Sequence, residues 1–155
     1  FIKIFKGMKN IDYTTGDLIS PWADVKMDVH DIPFEENSFD VVICNHVLEH
    51  VDDSNKVMRE FYRVMRPGGW GIFQVPIDNN NPNTIEDKSV TDPEEREKLY
   101  WQSDHLRLFG RDYGDRLSKA GFKVTESDYI NEIDPKLVER YALPKNEKVY
   151  FCEKI

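Results

Sequence analysis

Polar side chains that can bind a ligand or carry a proton follow several short apolar runs in this chain of 155 residues. Asp17 and Asp28 each end such a run, and Asn45 and His46 follow the run Phe39 to Cys44. In an open sheet, the carboxyl ends of parallel strands meet at one edge, where such sheets bind nucleotide-like ligands. The pattern therefore predicts a ligand site along the carboxyl edge of a parallel sheet.

The pentapeptide His46-Val47-Leu48-Glu49-His50 has the form H-x-x-E-H, which is the inverted zinc-peptidase signature. That chemistry requires the pentapeptide on one helix and a third ligand from a later helix. Here the motif directly follows a buried run and precedes a helix cap, so no metal site is predicted. A zinc hydrolase using His46, Glu49 and His50 stays as the less favoured alternative. His50 is a candidate general base, because an imidazole titrates near neutral pH.

The elements around these residues read as strand, helix, tight turn and strand. The run Phe39 to Cys44 is rich in β-branched residues and predicts a strand buried on both faces. A helix follows, and its apolar residues recur at helical spacing after an N-cap at Asp52, Asp53 or Ser54. Pro67-Gly68-Gly69 is expected to end that helix and to turn the chain into the strand Trp70 to Val75.

The flanking segments complete one α/β domain over residues 1–155, since no repeat or linker is visible. Two short strands are predicted before the central run, and a long loop rich in Asn and Pro after it. The expected elements are strands at Ile11 to Leu18 and Val25 to Val29, the loop Asp78 to Asn83, helices from Pro93 to about Trp101 and from Arg111 to Ala120, and strands at Phe122 to Thr125 and Lys148 to Lys154.

Three segments in this order resemble the central motifs of the class I S-adenosylmethionine-dependent methyltransferases, in particular the methyltransferase type 11 group. They are Asp28-Val29-His30-Asp31-Ile32-Pro33-Phe34, Asn37-Ser38-Phe39-Asp40-Val41-Val42 and Arg63-Val64-Met65-Arg66-Pro67-Gly68-Gly69. The resemblance implies a Rossmann-like, doubly wound, mostly parallel sheet with an antiparallel C-terminal edge strand. It also implies S-adenosylmethionine as cofactor and methyl transfer to a small-molecule acceptor.

The resemblance assigns roles to the polar residues at the strand ends. Asp17 is placed to accept hydrogen bonds from a ribose diol, and its alternative is a solvated turn residue. Asp28 matches the position that accepts from the adenine amino group, with the Val29 backbone N–H meeting a ring nitrogen, and its alternative is a turn or helix cap. The implied cofactor contacts are Asp17, Leu18, Asp28, Val29, Asn45 and His46.

The acceptor site is expected in the segments that overlie the cofactor. Its binding candidates are Tyr100, His105 and Arg107, and the catalytic candidates are His50 and His105. Two of the binding candidates have a structural alternative: Arg107 would pair with Asp104 or Asp112, and Tyr100 would pack in a lid or core.

The family's first strand and its glycine-rich turn are expected before residue 1, so the chain is interpreted as a fragment. The strand Phe39 to Cys44 would then border an unfilled position in the sheet, because the missing strand is central. A neighbouring copy, through homo-oligomer formation or strand exchange, or the segment Phe1 to Phe5 would otherwise fill that position. A domain fragment without cofactor or catalysis is the second functional alternative.

Composition narrows the classes of partner. The formal net charge of -8 disfavours a nucleic-acid substrate, and no apolar run has the length of a membrane span. Cys44 and Cys152 fall in different predicted strands without metal-ligand spacing. They indicate reduced thiols and a cytoplasmic protein.

Overall fold

The computed structural model describes residues 2–144 and 146–155 and divides into two compact units, Phe1–Pro33 and Phe34–Ile155. The unit Phe1–Pro33 contains the helix α1 (Ile2–Lys6) and two parallel strands, β1 (Gly16–Asp17) and β2 (Val25–Lys26). The segment Phe1 to Phe5 was one candidate for the unfilled sheet position. That alternative is wrong over the described residues, which are helical from Ile2, while Phe1 lies outside them.

The strands β1 and β2 are shorter than the sequence predicts, because side chains supply local hydrogen bonds around them. The Asp24 carboxylate accepts from the Thr15 backbone N–H at 3.0 Å and from its hydroxyl at 2.7 Å. The Asp28 carboxylate accepts from the His30 backbone N–H at 2.8 Å. Such bonds compete with a strand ladder and favour turns.

The unit Phe34–Ile155 is built on a four-stranded sheet in the order β3-β4-β6-β5. Its strands and helices are β3 (Phe39–Asn45), α2 (Ser54–Val64), β4 (Met65–Gln74), α3 (Pro93–Tyr100), α4 (Tyr113–Lys119), β5 (Lys123–Ser127), a 3-10 helix (Tyr129–Glu132), α5 (Pro135–Arg140) and β6 (Val149–Glu153). This mixed sheet with packed helices confirms the predicted α/β, Rossmann-like class.

Helix α2 starts where the sequence places it. Asp53 is the N-cap, and its carboxylate accepts from the Lys56 backbone N–H at 2.9 Å. The buried side chains Val57, Met58 and Phe61 lie on one face of the helix, as an amphipathic helix requires. The aromatic rings of Phe61 and Phe73 stack with centroids 5.0 Å apart, which fixes α2 against β4.

The segment Pro67-Gly68-Gly69 lies inside strand β4, so its prediction as the turn between helix and strand is wrong. Helix α2 already ends at Val64, and the register between β3 and β4 jumps between Phe39 and Val41, which makes this segment a bulge. Gly68 has φ +80°, and a Cβ on Gly69 would lie 2.7 Å from the Asp40 carbonyl oxygen. Glycine is therefore required here by backbone geometry rather than as a helix stop.

Two expectations about the sheet need correction. The C-terminal strand β6 is antiparallel, but it lies between β4 and β5, so β5 forms the edge. Strand β3 is not buried on both faces, because Val41 is 38% exposed and Ile43 is 46% exposed. The strand occupies the other edge of the sheet, and its outer side pairs with no strand among the described residues.

The loops hold further helices, two of which the sequence analysis missed. Helix α3 begins at Pro93 as predicted, and the Asp92 carboxylate caps it by accepting from the Glu95 backbone N–H at 3.0 Å. The 3-10 helix and α5 were not predicted, although Asp134 followed by Pro135 is a helix-start signal. Over the described residues, no helix is long and apolar enough to cross a bilayer.

Candidate functional site

Strands β3 and β4 run parallel, so their carboxyl ends meet at one edge of the sheet. Asn45 pairs with Gln74 in the register, and the next residue, His46, donates its backbone N–H to the Gln74 carbonyl at 2.8 Å. His46 has φ 56°, which is left-handed backbone in a residue other than glycine. Such a conformation costs about 1–3 kcal/mol and is found most often at functional sites. It turns the chain sharply at the end of β3.

The residues after this sharp bend form a turn rather than a helix, with the His50 backbone N–H bonded to the Val47 carbonyl at 3.0 Å. The inverted zinc-peptidase arrangement, which needs His46 and His50 on one helix, is therefore absent. The Glu49 side chain points inward, and the residue is only 1% exposed. Its Oε1 atom lies 3.3 Å from His46 Nδ1, and among the described residues no group donates to Oε2.

A second segment brings His105 against this turn. The Leu106 backbone N–H donates to the Glu49 carbonyl at 2.8 Å, which ties the two segments together. The rings of His50 and His105 pack edge to face with centroids 4.8 Å apart. His105 is 1% exposed, whereas His50 lies at the surface. The two catalytic candidates of the sequence analysis thus form one pair.

Each imidazole of this pair has an oxygen atom facing its Nδ1. His105 Nδ1 lies 2.8 Å from the Tyr100 carbonyl oxygen, and His50 Nδ1 lies 3.3 Å from Asp104 Oδ2. A carbonyl accepts only from a protonated nitrogen, so we assign the neutral His105 proton to Nδ1. The Nε2 atom of His105 then carries a free lone pair.

Arg107 is the best-buried cation of this region, at 1% exposure. One terminal nitrogen, Nη1, donates to the carbonyls of Leu48 at 2.6 Å and Val51 at 2.5 Å, and the other, Nη2, donates to Glu86 Oε1 at 2.9 Å. The expected pairing with Asp104 or Asp112 is wrong: Arg107 pairs with Glu86, while Asp112 pairs with Arg116 at 2.9 Å. The guanidinium group therefore holds the Leu48 to Asp52 turn in place.

Tyr100 lies in a small apolar cluster with Val90 and Leu108, and it is 1% exposed. Its hydroxyl accepts from the Asp87 backbone N–H at 3.1 Å. The side chain therefore supports the loop before α3 from inside. Tyr100, His105 and Arg107 are thus all buried, and Arg107 is bonded to the turn that contains Glu49.

The remaining candidates lie in the unit Phe1–Pro33. Asp17 ends β1 and is followed by Leu18, and Asp28 and Val29 follow β2, which runs parallel to β1. The backbone N–H groups of Ser20 and Ile19 donate to Asp17 Oδ1 at 2.7 and 2.8 Å and lower the pKa of this carboxyl. Asp17 is thus ionised at neutral pH.

The sequence analysis missed two carboxylates of the site. Glu86, which pairs with Arg107, lies in a loop without any pattern that marks it. Glu49 was named only as part of the H-x-x-E-H pentapeptide, and nothing in the sequence indicates that its side chain is buried. Glu86 lies in the loop between β4 and α4, whereas Glu49 lies in the turn between β3 and α2, and no local pattern marks either as buried.

Comparisons with known proteins point to one family. Residues 9–73 match the sequence model of the family described as Methyltransferase domain. The chain is 36% identical over 69 residues to the ubiquinone biosynthesis O-methyltransferase of Bordetella avium, a match that covers 41% of this chain and 28% of that protein. It is 30% identical over 125 residues to the sterol 24-C-methyltransferase erg6 of Schizosaccharomyces pombe, covering 77% of this chain and 31% of that protein. The matched regions thus span about a third of these relatives.

Solved structures show the same fold at low sequence identity. The Burkholderia thailandensis 1,6-didemethyltoxoflavin-N1-methyltransferase, solved with S-adenosylhomocysteine, is 15% identical with a TM-score of 0.58, and the match covers 90% of this chain and 59% of that one. The [4+2]-cyclase SpnF is 15% identical with a TM-score of 0.54, covering 84% of this chain and 57% of that one. The matched family model and the methyltransferase relatives support the class I S-adenosylmethionine-dependent methyltransferase family, and these solved structures show the same fold.

Proposed function

We propose that this chain is part of a methyltransferase that uses S-adenosylmethionine to methylate a small-molecule acceptor, and that both compact units belong to one domain. The observation that carries the proposal is the match of residues 9–73 to the methyltransferase family, which includes the acidic residues at the ends of β1 and β2. The relatives with quinone and sterol names favour a small organic acceptor over a macromolecule.

The residues present fit the adenosine part of such a cofactor. Gly16 pairs with Val25 and Asp17 with Lys26, so Asp17 and Asp28 lie at the same end of two adjacent parallel strands. An ionised, exposed carboxylate at that place can accept two hydrogen bonds from a ribose diol. Asp17 would hold the ribose and Asp28 the adenine amino group, with Val29 and Leu18 beside the ring. Asn45 and His46 would contact the methionine part.

When it is bound, S-adenosylmethionine supplies a methyl group on a sulfonium, which is already a good leaving group. The protein then has to orient the acceptor and exclude water. We propose that the turn at the end of β3, which contains His46 and His50, borders the acceptor. Arg107 and Tyr100 would act from beneath it as positioning residues, because both are buried and bonded to backbone groups.

Binding of S-adenosylhomocysteine, measured by isothermal titration calorimetry, tests the proposed function. The titration is done on this chain and on a version with a methyltransferase first strand and glycine-rich turn joined to its N-terminus. Binding by either protein supports the proposal, and binding only by the extended protein locates the missing contacts upstream. If neither protein binds, the proposed function is contradicted.

Replacement of Asp17 by asparagine is expected to weaken S-adenosylhomocysteine binding about 10- to 100-fold in whichever protein binds. A hydrogen bond to a charged group contributes about 1.5–3 kcal/mol, and asparagine removes the charge while its amide oxygen still accepts from Ser20 and Ile19. Asp12→Asn, at another exposed aspartate of the same unit, is the control and should bind normally. Equal affinities for both variants would contradict the ribose role.

We also propose that the free edge of β3 mediates self-association in a cytoplasmic, reducing setting, where Cys44 and Cys152 stay unpaired. An edge strand with exposed apolar side chains is a template for pairing, and a lysine on such an edge prevents it. Light scattering during size-exclusion chromatography should show a concentration-dependent larger species. That species should be lost in Ile43→Lys but kept in Ile4→Lys, which replaces an isoleucine of the other unit that is 68% exposed.

A further inference from the structure

Three side chains of the unit Phe34–Ile155 bring metal-binding atoms together. Glu49, His50 and His105 each offer one ligand atom within 4.8 Å of the other two. Glu49 and His105 are both 1% exposed, so they are fixed by their surroundings, whereas His50 stands on the solvent side. This set differs from the H-x-x-E-H pentapeptide, because His105 comes from a distant segment and His46 is not a member.

A buried carboxylate oxygen without a donor is the second observation. Glu49 Oε2 has no hydrogen-bond partner among the described residues, although most buried polar atoms in proteins have one. Leaving a buried carboxylate oxygen without a donor is costly, because the oxygen has lost its water and gained no partner. A cation bound to this oxygen would remove that cost.

The hydrogen bonds around the two imidazoles engage the Nδ1 atoms and leave the Nε2 atoms free. Metal-binding histidines usually donate their second ring N–H to a carbonyl or carboxylate, which fixes the ring and the tautomer. His105 has this arrangement with the Tyr100 carbonyl at 2.8 Å, and His50 has it with the Asp104 backbone carbonyl at 3.4 Å, while the Asp104 carboxylate lies 3.3 Å away. Both Nε2 atoms are then available as ligands.

We propose that Glu49, His50 and His105 form a binding site for a divalent transition-metal ion of the Zn²⁺ type. Two imidazoles and one carboxylate are the ligands of catalytic zinc sites, which keep a further position for water or substrate. Ligand atoms about 3.4 Å apart surround a tetrahedral zinc with bonds of about 2.1 Å, so the site closes by at most about 1.4 Å from its 4.8 Å spacing. The exposed His50 can supply that movement.

This assignment makes His50 and His105 ligands rather than general bases, and it is independent of cofactor binding. Nitrogen ligands also set the metal class, since imidazole suits Zn²⁺ whereas Mg²⁺ and Ca²⁺ prefer oxygen ligands. The open position of the metal would face the solvent side, where His50 lies.

Competition with a chromogenic chelator measures Zn²⁺ affinity on the purified, metal-stripped chain, and Co²⁺ absorption reports tetrahedral nitrogen and oxygen ligands. We expect stoichiometric Zn²⁺ binding that excess Mg²⁺ does not displace. Glu49→Gln, His50→Asn and His105→Asn should each lower the affinity at least about 100-fold, because losing even an outer partner costs about 10–100-fold. Asp104→Asn should lower it about tenfold.

Two matched controls use the other histidines of the chain. His30→Asn should keep the affinity of the unmodified chain, and His46→Asn should lose no more than about tenfold. Loss of binding in His46→Asn with normal binding in His105→Asn would overturn the proposal in favour of the pentapeptide. No stoichiometric binding, or equal binding by all variants, would overturn it as well.

Folding is checked for each variant by circular dichroism and thermal unfolding without metal. If the variants of the buried residues Glu49 and His105 fail to fold, His50→Asn still tests the proposed site, because the His50 side chain is at the surface. A folded His50→Asn variant with unchanged Zn²⁺ affinity and an unchanged Co²⁺ spectrum would contradict the proposed site.

Discussion

Replacement of Arg107 by methionine is expected to lower the free energy of unfolding by about 3–5 kcal/mol. The guanidinium group satisfies the carbonyls of Leu48 and Val51 and pairs with Glu86 while it is 1% exposed. Methionine fills a similar volume but donates no hydrogen bond. Two buried carbonyl oxygens and a carboxylate would therefore lose their donor, and removing one partner of a buried pair costs more than the pair contributes.

Urea denaturation followed by circular dichroism measures this change, with the midpoint and the slope fitted separately. The matched control is Arg111→Met, because the exposed Arg111 side chain donates to the Asn79 carbonyl at 3.2 Å. Its effect should stay within about 0.5 kcal/mol. An Arg107→Met variant as stable as Arg111→Met would show that the buried guanidinium does not hold the turn.

The same variant should also weaken metal binding at the proposed Glu49, His50 and His105 site. Arg107 binds the carbonyls of Leu48 and Val51, which lie on either side of Glu49 and His50 in the chain. Without these bonds the side chains of both ligands would be held less firmly. An Arg107→Lys variant keeps the charge but not the planar fork. We expect it to be intermediate in both stability and affinity.

Replacement of Phe73 by alanine is expected to destabilise the protein by about 3–5 kcal/mol. Phe73 is fully buried and lies between Phe61, at a centroid distance of 5.0 Å, and Phe122, at 5.3 Å. The ring thus joins β4 to α2 and to the start of β5. Gly71 lies against the tip of the ring, since a Cβ on Gly71 would lie 2.6 Å from Phe73 Cζ, and the rigid sheet backbone cannot collapse into the cavity that alanine leaves.

Phe151→Ala is the matched control for this experiment. Phe151 is a phenylalanine of the same sheet, stacked on Trp70 at 5.4 Å, but it lies on the half-exposed face. We expect Phe151→Ala to lower the free energy of unfolding by about 1–2 kcal/mol, because partial burial and the ring contact are lost. Equal losses for the two variants would show that the core of this unit is not centred on Phe73.

Local patterns predicted the elements that follow from local physics. Asp53 caps α2 because its carboxylate reaches a backbone N–H three residues on, and the sequence marks it by its place before an amphipathic run. Asp92 before Pro93 marks α3 in the same way. The parallel pairing of β1 with β2 and of β3 with β4 followed from the motif order.

The bulge at Pro67-Gly68-Gly69 was wrongly predicted as a turn because a glycine pair after a helix can have two structural roles. It can end the helix, or it can allow a close backbone approach, and only the neighbouring strand decides between them. The Asp40 carbonyl oxygen lies where a Cβ on Gly69 would be, so the close approach applies here. Likewise, the apolar residues of β3 looked buried on both faces, but the position of the strand at a sheet edge leaves Ile43 46% exposed.

The sequence by itself determined the α/β class, the methyltransferase resemblance and the polar residues at the strand ends, since all of these depend on local order and composition. Only the tertiary structure decided that Glu49 is buried beside His50 and His105, and that Arg107 holds Glu86 instead of a nearer aspartate. The physical reason is that His105 reaches Glu49 from a distant segment, and that Arg107 and Glu86 are 21 positions apart. Their partners are chosen by how the loop packs on the sheet, which no periodicity in the chain records.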